Sequence, residues 1–216
     1  MRKLTILAVA LSALLVPAAA SAQLTLGARL GYSIAGGDAA KDAAMDETTG
    51  IAGAIPIQLE VGYTVIPDLS IGAYFLYGIG RLSGDFSDEC DAFDLDCSAS
   101  VMRLGIQGIY TMSQLSPTFA PWLGVGFGYE WAKTTMEGGG EEATFSFDGF
   151  ELLNLQAGAD FKASPNLGVG PFVSFSFNRF GSGEVEIPGV GSESGDIEDK
   201  GLHTYLTIGV RGTFGM

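Results

Sequence analysis

The chain has 216 residues, 32 of them glycine, and 25 acidic side chains against 11 basic ones set its net charge at −14. Only 17% of residues are charged and 47% are apolar, whereas soluble domains carry about 25% charge. The 14 Phe and 7 Tyr exclude an ordinary disordered acidic chain, the acid excess argues against a nucleic-acid partner, and two cysteines exclude a disulfide-dense mini-protein.

Arg2 and Lys3 precede an apolar run from Leu4 to Val16, then Pro17 and small residues ending Ala20-Ser21-Ala22. This is the layout of a secretory signal peptide, expected over 1–22 and cleaved to leave 23–216 as one domain. Beyond it there is no apolar stretch of the length a transmembrane helix needs.

Eight segments then alternate apolar and polar residues with period 2, the mark of a strand with two different faces. The first runs Leu24, Leu26, Ala28, Leu30, Tyr32, Ile34 against Thr25, Gly27, Arg29, Gly31, Ser33. The second sets Ile57, Leu59, Val61, Tyr63 against Gln58, Glu60, Gly62, with Pro56 at its start. The third sets Leu69, Ile71, Phe75, Tyr77 against Ser70, Gly72, Tyr74, Leu76. In the fourth, Leu104, Ile106 and Tyr110 oppose Arg103, Gly105 and Gln107. The fifth opposes Leu123, Val125, Phe127, Tyr129, Trp131 to Gly124, Gly126, Gly128, Glu130. The sixth opposes Leu153, Leu155, Ala157, Phe161 to Asn154, Gln156, Gly158, Asp160. In the seventh, Leu167, Val169, Val173, Phe175, Phe177 face away from Gly168, Gly170, Ser174, Ser176, Asn178. Pro171 inside it predicts a local bulge. The last alternates Leu206, Ile208, Val210, Gly212, Phe214 with Tyr205, Thr207, Gly209, Arg211, Thr213.

A soluble sandwich also alternates, so the connections decide. Those after segments two, four and six are short; those after one, three, five and seven cover roughly 36–50, 83–98, 134–149 and 181–200. Strict parity of short and long connections fits an up-and-down membrane barrel with short periplasmic turns and long outer loops. The predicted fold is therefore all-β, an eight-stranded antiparallel up-and-down transmembrane barrel. Its apolar face meets lipid, its small polar face encloses a narrow lumen, and aromatic residues near the segment ends form interfacial girdles.

The chain resembles the small eight-stranded outer-membrane β-barrel proteins, the family of outer membrane proteins A and X, over nearly all of 23–216. The resemblance implies a bacterial outer-membrane location in a Gram-negative-type envelope, contact with outer-membrane lipid, and delivery by the outer-membrane assembly machinery. It also implies that the last segment is the assembly signal, carried here by Leu206, Ile208, Val210 and Phe214. The family usually stops at the aromatic residue, whereas Gly215-Met216 follow here.

Six charges are expected to point inward: Arg29, Glu60, Arg103, Glu130, Asp160 and Arg211. Eight strands leave room only for side chains, so an ion-pair network plugging the lumen is expected; a narrow gated pathway is the alternative. The single histidine, His203, has no serine motif beside it and reads as a rim residue, so no catalytic residue is assigned. The Gly-rich run 124–128 lies in a strand with no helix after it, which excludes a phosphate loop.

The long connections hold 20 of the 25 acids, a solvated outer rim. Cys90 and Cys97 flank part of it and are expected to form a disulfide after export. Asp88, Asp91, Asp94 and Asp96 between and beside them are the weak candidates for calcium, but their spacing departs from the calcium-loop pattern, so no metal and no cofactor is expected. The functional expectation is a non-enzymatic barrel with acidic outer loops in a structural or surface-interaction role, its extracellular ligand unidentified. A porin-like channel for small solutes is the alternative and a lipid A-modifying enzyme the third.

Overall fold

The computed structural model describes residues 24–37, 50–187, 189, 191–197 and 200–215. The expected signal peptide, the acids of the first loop (Asp38, Asp42, Asp46, Glu47), Glu198, Asp199 and Met216 lie outside the described residues.

The described residues form nine strands and one helix: β1 (Leu24–Gly37), β2 (Ile51–Ile66), β3 (Leu69–Leu82), α1 (Gly84–Ala92), β4 (Asp96–Thr111), β5 (Phe119–Gly138), β6 (Glu141–Ser164), β7 (Leu167–Ile187), β8 (Gly191–Asp196) and β9 (Leu202–Phe214). Each strand from β1 to β7 pairs antiparallel with the next, and β9 closes the sheet by pairing with both β7 and β1. The closing register runs from Leu26 opposite Phe214 to Gly37 opposite His203. Eight strands thus form a ring without an edge, and β8 adds a short hairpin arm to the outer part of β7.

The alternation fits this ring. Leu26, Leu30, Leu59, Phe75, Leu104, Val125, Leu155 and Ile208 are each 43–58% exposed on the outside, while Arg29, Gln58, Glu60, Arg103, Gln107, Glu130 and Asp160 are buried inside. Such an apolar exterior is stable only in hydrocarbon. Aromatic side chains mark its two rims. Tyr63, Tyr110, Phe161 and Phe214 stand near the short turns; Tyr32, Tyr77, Trp131 and Phe150 stand exposed at the other end. Tyr77 and Trp131 flank Met102 at one level of the sheet.

Three features differ from expectation. The connections 134–149 and 181–200 are largely strand: β5 has 20 residues, β6 has 24 and β7 has 21. Their outer parts form hairpins that rise beyond the aromatic belt, β5–β6 turning at Gly139-Gly140, where φ is 63° and 85°. Positive φ at both turn positions gives the twist that a two-residue hairpin needs. Outside lipid neither face has to be uniformly apolar, so these extensions carry no alternating signal. The connection 83–98 contains α1 and the Cys90–Cys97 disulfide, a helix that the periodicity did not show.

The third difference is Pro171. No register shift occurs there: the β6–β7 pairing keeps its register from Gly158–Phe172 to Phe161–Val169. The ladder to β6 is interrupted opposite the proline, while the ladder to β9 pairs Pro171 with Val210. Pro56 behaves alike. It lies within β2, five residues past its start, paired with Gly78 on β3 while the β1 ladder is interrupted between Leu30–Ile57 and Ser33–Ala54. Losing one N–H breaks one bond on one side of the strand, and the ring tolerates that gap without a bulge.

The disulfide should make unreduced protein inert to thiol alkylation; two adducts by mass spectrometry before reduction would contradict it.

Candidate functional site in the barrel lumen

In the eight ring strands alternate residues point inward, apart from one break in β6, so the lumen is assembled largely from the polar half of the alternation. The six charged side chains expected there are brought together, with a seventh, Glu151, and with His203. Two tiers result.

The lower tier, toward the short turns, centres on Glu60 of β2. Arg29 Nη2 donates to its Oε2 at 2.6 Å and Arg211 Nε to its Oε1 at 2.7 Å. Gln107 Nε2 donates to Oε2 at 2.9 Å. Arg211 also donates to Asp160 Oδ2 at 3.0 Å, and Trp122 Nε1 to Asp160 Oδ1 at 3.1 Å. The Trp122 ring lies under both arginines, 5.0 Å from the Arg29 guanidinium carbon and 4.5 Å from that of Arg211. Gly158 leaves the room for this indole: a Cβ there would stand 2.5 Å from Trp122 Cζ2.

The upper tier centres on Arg103 of β4. Its Nε is 3.3 Å from Glu130 Oε2 and its Nη1 3.3 Å from Glu151 Oε1. Tyr74 Oη and Asn154 Nδ2 donate to Glu151, and the Tyr205 ring lies 4.2 Å from the Arg103 guanidinium. His203 is not at the rim. It is 5% exposed, stacked on Phe180 at 4.2 Å between ring centroids, with Nε2 3.3 Å from Glu130 Oε1.

Glu151 escapes the period-2 reading because the strand breaks step there. Register shifts on both flanks of β6, between Glu151 and Leu153 toward β7 and between Gly126 and Gly128 of β5, add one residue at Leu152. Glu151 is thereby turned inward, to 1% exposure, and Leu152 outward to 51%. Counting back from Asn154 gives the opposite assignment. The consecutive Leu152-Leu153 pair, and an acid at a lipid-facing position, are the signal in the sequence that betrays the bulge. Trp122, Tyr74 and Phe172 are large side chains at inward positions where the alternation shows no polarity.

Apolar layers cap the network. Ile51, Ala99, Val101, Ala132 and Phe180 pack together across the outer end, and Ile109, Trp122 and Phe172 across the other. Two cavities of about 10 Å³ each lie inside, one between the tiers and one below Glu60, each room for about one water molecule. Around the connection 83–98, no three His, Cys, Asp or Glu side chains among the described residues converge to hold a metal ion. Asp88, Asp91, Asp94 and Asp96 are therefore not brought together as ligands.

A closed eight-stranded ring with an apolar exterior, aromatic rims and a packed polar interior defines an integral outer-membrane barrel. The outer membrane protein beta-barrel domain family matches residues 6–211, and the chain belongs to this family. No curated protein sequence matches it. Among solved structures it is similar to a major outer membrane protein from Thermus thermophilus (15% identity, TM-score 0.57, covering 90% of this chain and 100% of that one). It is also similar to OprG from Pseudomonas aeruginosa (10%, 0.51, 91% and 97%) and to Neisserial surface protein A (15%, 0.50, 89% and 98%). At these identities the likeness is one of fold. The protein resides in the outer membrane of a Gram-negative-type bacterium as a multi-pass barrel.

Removing one partner from a buried ion pair leaves its mate uncompensated, at a cost of about 3–5 kcal/mol. Glu60→Ala strands Arg29 and part of Arg211, and should lower the urea midpoint of the refolded barrel accordingly. Glu151→Ala should act similarly through Arg103 and Tyr74. Lys133→Ala, an exposed charge, should change stability by less than about 0.5 kcal/mol. Equal midpoints for all three would show that the lumen pairs contribute nothing.

Proposed function

We propose that this is a non-enzymatic barrel with a structural or surface-interaction role, presenting acidic outer hairpins and loops to the medium. The observation that carries this reading is the lumen: two tiers of interlocked ion pairs between two apolar layers occupy the space a solute would need. The elaborated part of the molecule is instead its outer end. There β5, β6 and β7 extend past the belt, β8 adds an arm, and the bridged loop carries Asp88, Glu89, Asp91, Asp94 and Asp96 without a base. The acids repel nucleic acid, and the partner of this surface is an extracellular ligand not yet identified.

Lipid is the second partner, along the apolar exterior. The assembly machinery is the third, through Leu206, Ile208, Val210 and Phe214, which project outward in β9. An acyl-transferring or proteolytic activity is not part of the proposal. His203, Glu130 and Tyr205 are buried, with Phe180 of the outer apolar layer stacked on the imidazole, and no serine touches the imidazole among the described residues.

A narrow channel is the second reading, favoured by the polar lumen and its two small cavities. Planar-bilayer recordings on refolded protein distinguish them. Wild type should give no steady conductance, and Arg103→Ala or Glu130→Ala should stay silent or merely lose stability. Steady wild-type openings altered by either substitution would promote the channel.

A further inference from the structure

The bonds of the lumen stay within tiers. Arg29, Glu60, Gln107, Gln156, Arg211 and Asp160 bond among themselves. So do Tyr74, Arg103, Glu130, Glu151 and Asn154. Among the described residues no hydrogen bond crosses between the two sets. The cavity of about 10 Å³ lies at this seam, lined by Arg29 and Gln58 of the lower tier, Arg103 and Asn154 of the upper, and Ser174 and Thr207 between.

Arg103 Nε, on one lining residue, lacks a hydrogen bond but stands 3.3 Å from Glu130 Oε2; two further lining residues carry polar atoms with no hydrogen-bond partner in the protein: Arg29 Nε and Asn154 Oδ1. Their residues are 3% and 5% exposed. The Asn154 amide is oriented by chemistry. Its Nδ2 lies 2.9 Å from a Glu151 carboxylate oxygen, which only accepts, so Oδ1 must be the other arm. A residue with an unmet donor and a residue with an unmet acceptor therefore line the same cavity. A buried donor or acceptor left unmet forfeits its bonds to water with nothing in return.

We propose that this cavity is a binding site for a single water molecule, which accepts from Arg29 Nε–H, donates to Asn154 Oδ1, and so joins the two tiers into one network. The volume holds about one water, and the polar lining supplies the two to four partners that an internal water needs. A small anion suits the site less. The buried charges already include four carboxylates (Glu60, Glu130, Glu151, Asp160) against three guanidinium groups (Arg29, Arg103, Arg211), and Asn154 Oδ1 offers an anion only repulsion. The proposal holds whether or not the lumen conducts.

The test is water-to-protein magnetisation transfer in isotope-labelled protein refolded in detergent micelles. Cross-peaks from water to Arg29 Hε and to the Asn154 side-chain amide, of opposite sign in laboratory- and rotating-frame spectra, mark a water held for longer than a nanosecond. Both should be present in wild type. Ser174→Val, which fills the seam, should abolish them, whereas Ser174→Ala, which leaves the room, should keep them. Should the valine variant not fold, the wild-type spectrum and the alanine variant still decide. Absent cross-peaks in wild type would overturn the site. An anomalous bromide peak between Arg29 and Asn154 in soaked crystals would overturn water in favour of an anion.

Discussion

A strand in hydrocarbon has no water to satisfy its N–H and C=O groups, and each unmet group costs several kcal/mol. The β1–β9 ladder answers that constraint, and the other features depend on it. Twelve residue pairs, from Leu26–Phe214 to Gly37–His203, turn an open sheet into a ring with no edge. Closure sends one half of every strand outward to lipid and forces the other half into a space only side chains can fill. Where a proline removes a donor, at Pro56 and at Pro171, one ladder is interrupted and the neighbouring ladder holds the register.

The same closure sets the chemistry of the interior. Charged groups placed there cannot reach bulk water, so they persist only when paired and hydrogen-bonded. Arg29, Glu60, Arg211 and Asp160 come from four strands far apart in sequence, and so do Arg103, Glu130, Glu151 and His203. Each pair can form only in one register, because a one-residue slip would send its members to the lipid face. The ion pairs are thus a check on strand order as well as a filling. Glycine serves the same end at Gly158 and Gly105. A Cβ at the first would strike the Trp122 ring, and one at the second would strike Tyr74 Oη.

Outside the membrane the constraint relaxes. The outer halves of β5, β6 and β7 keep their backbone ladders but no longer sort side chains by polarity. Acid accumulates on them: Glu137 stands opposite Asp96 on one side and Glu142 on the other. Among the described residues acid is therefore unevenly spread, gathered on these outer strand ends above a barrel whose lumen charges mostly cancel.

Period-2 alternation and loop parity by themselves determined the strand count of the ring, its antiparallel order, its membrane setting and the inward direction of Arg29, Glu60, Arg103, Glu130, Asp160 and Arg211. Lipid on one face and a narrow lumen on the other leave a local pattern that needs no knowledge of partners. The tertiary structure alone decided which charges pair, since that depends on stagger between strands. It placed His203 against Glu130 and Phe180 instead of at the rim. It also turned Glu151 inward through an extra residue at Leu152, a shift visible only when β6 is laid between β5 and β7. The hairpin extensions were equally hidden, because strands in water are held by backbone pairing, which side-chain polarity does not record.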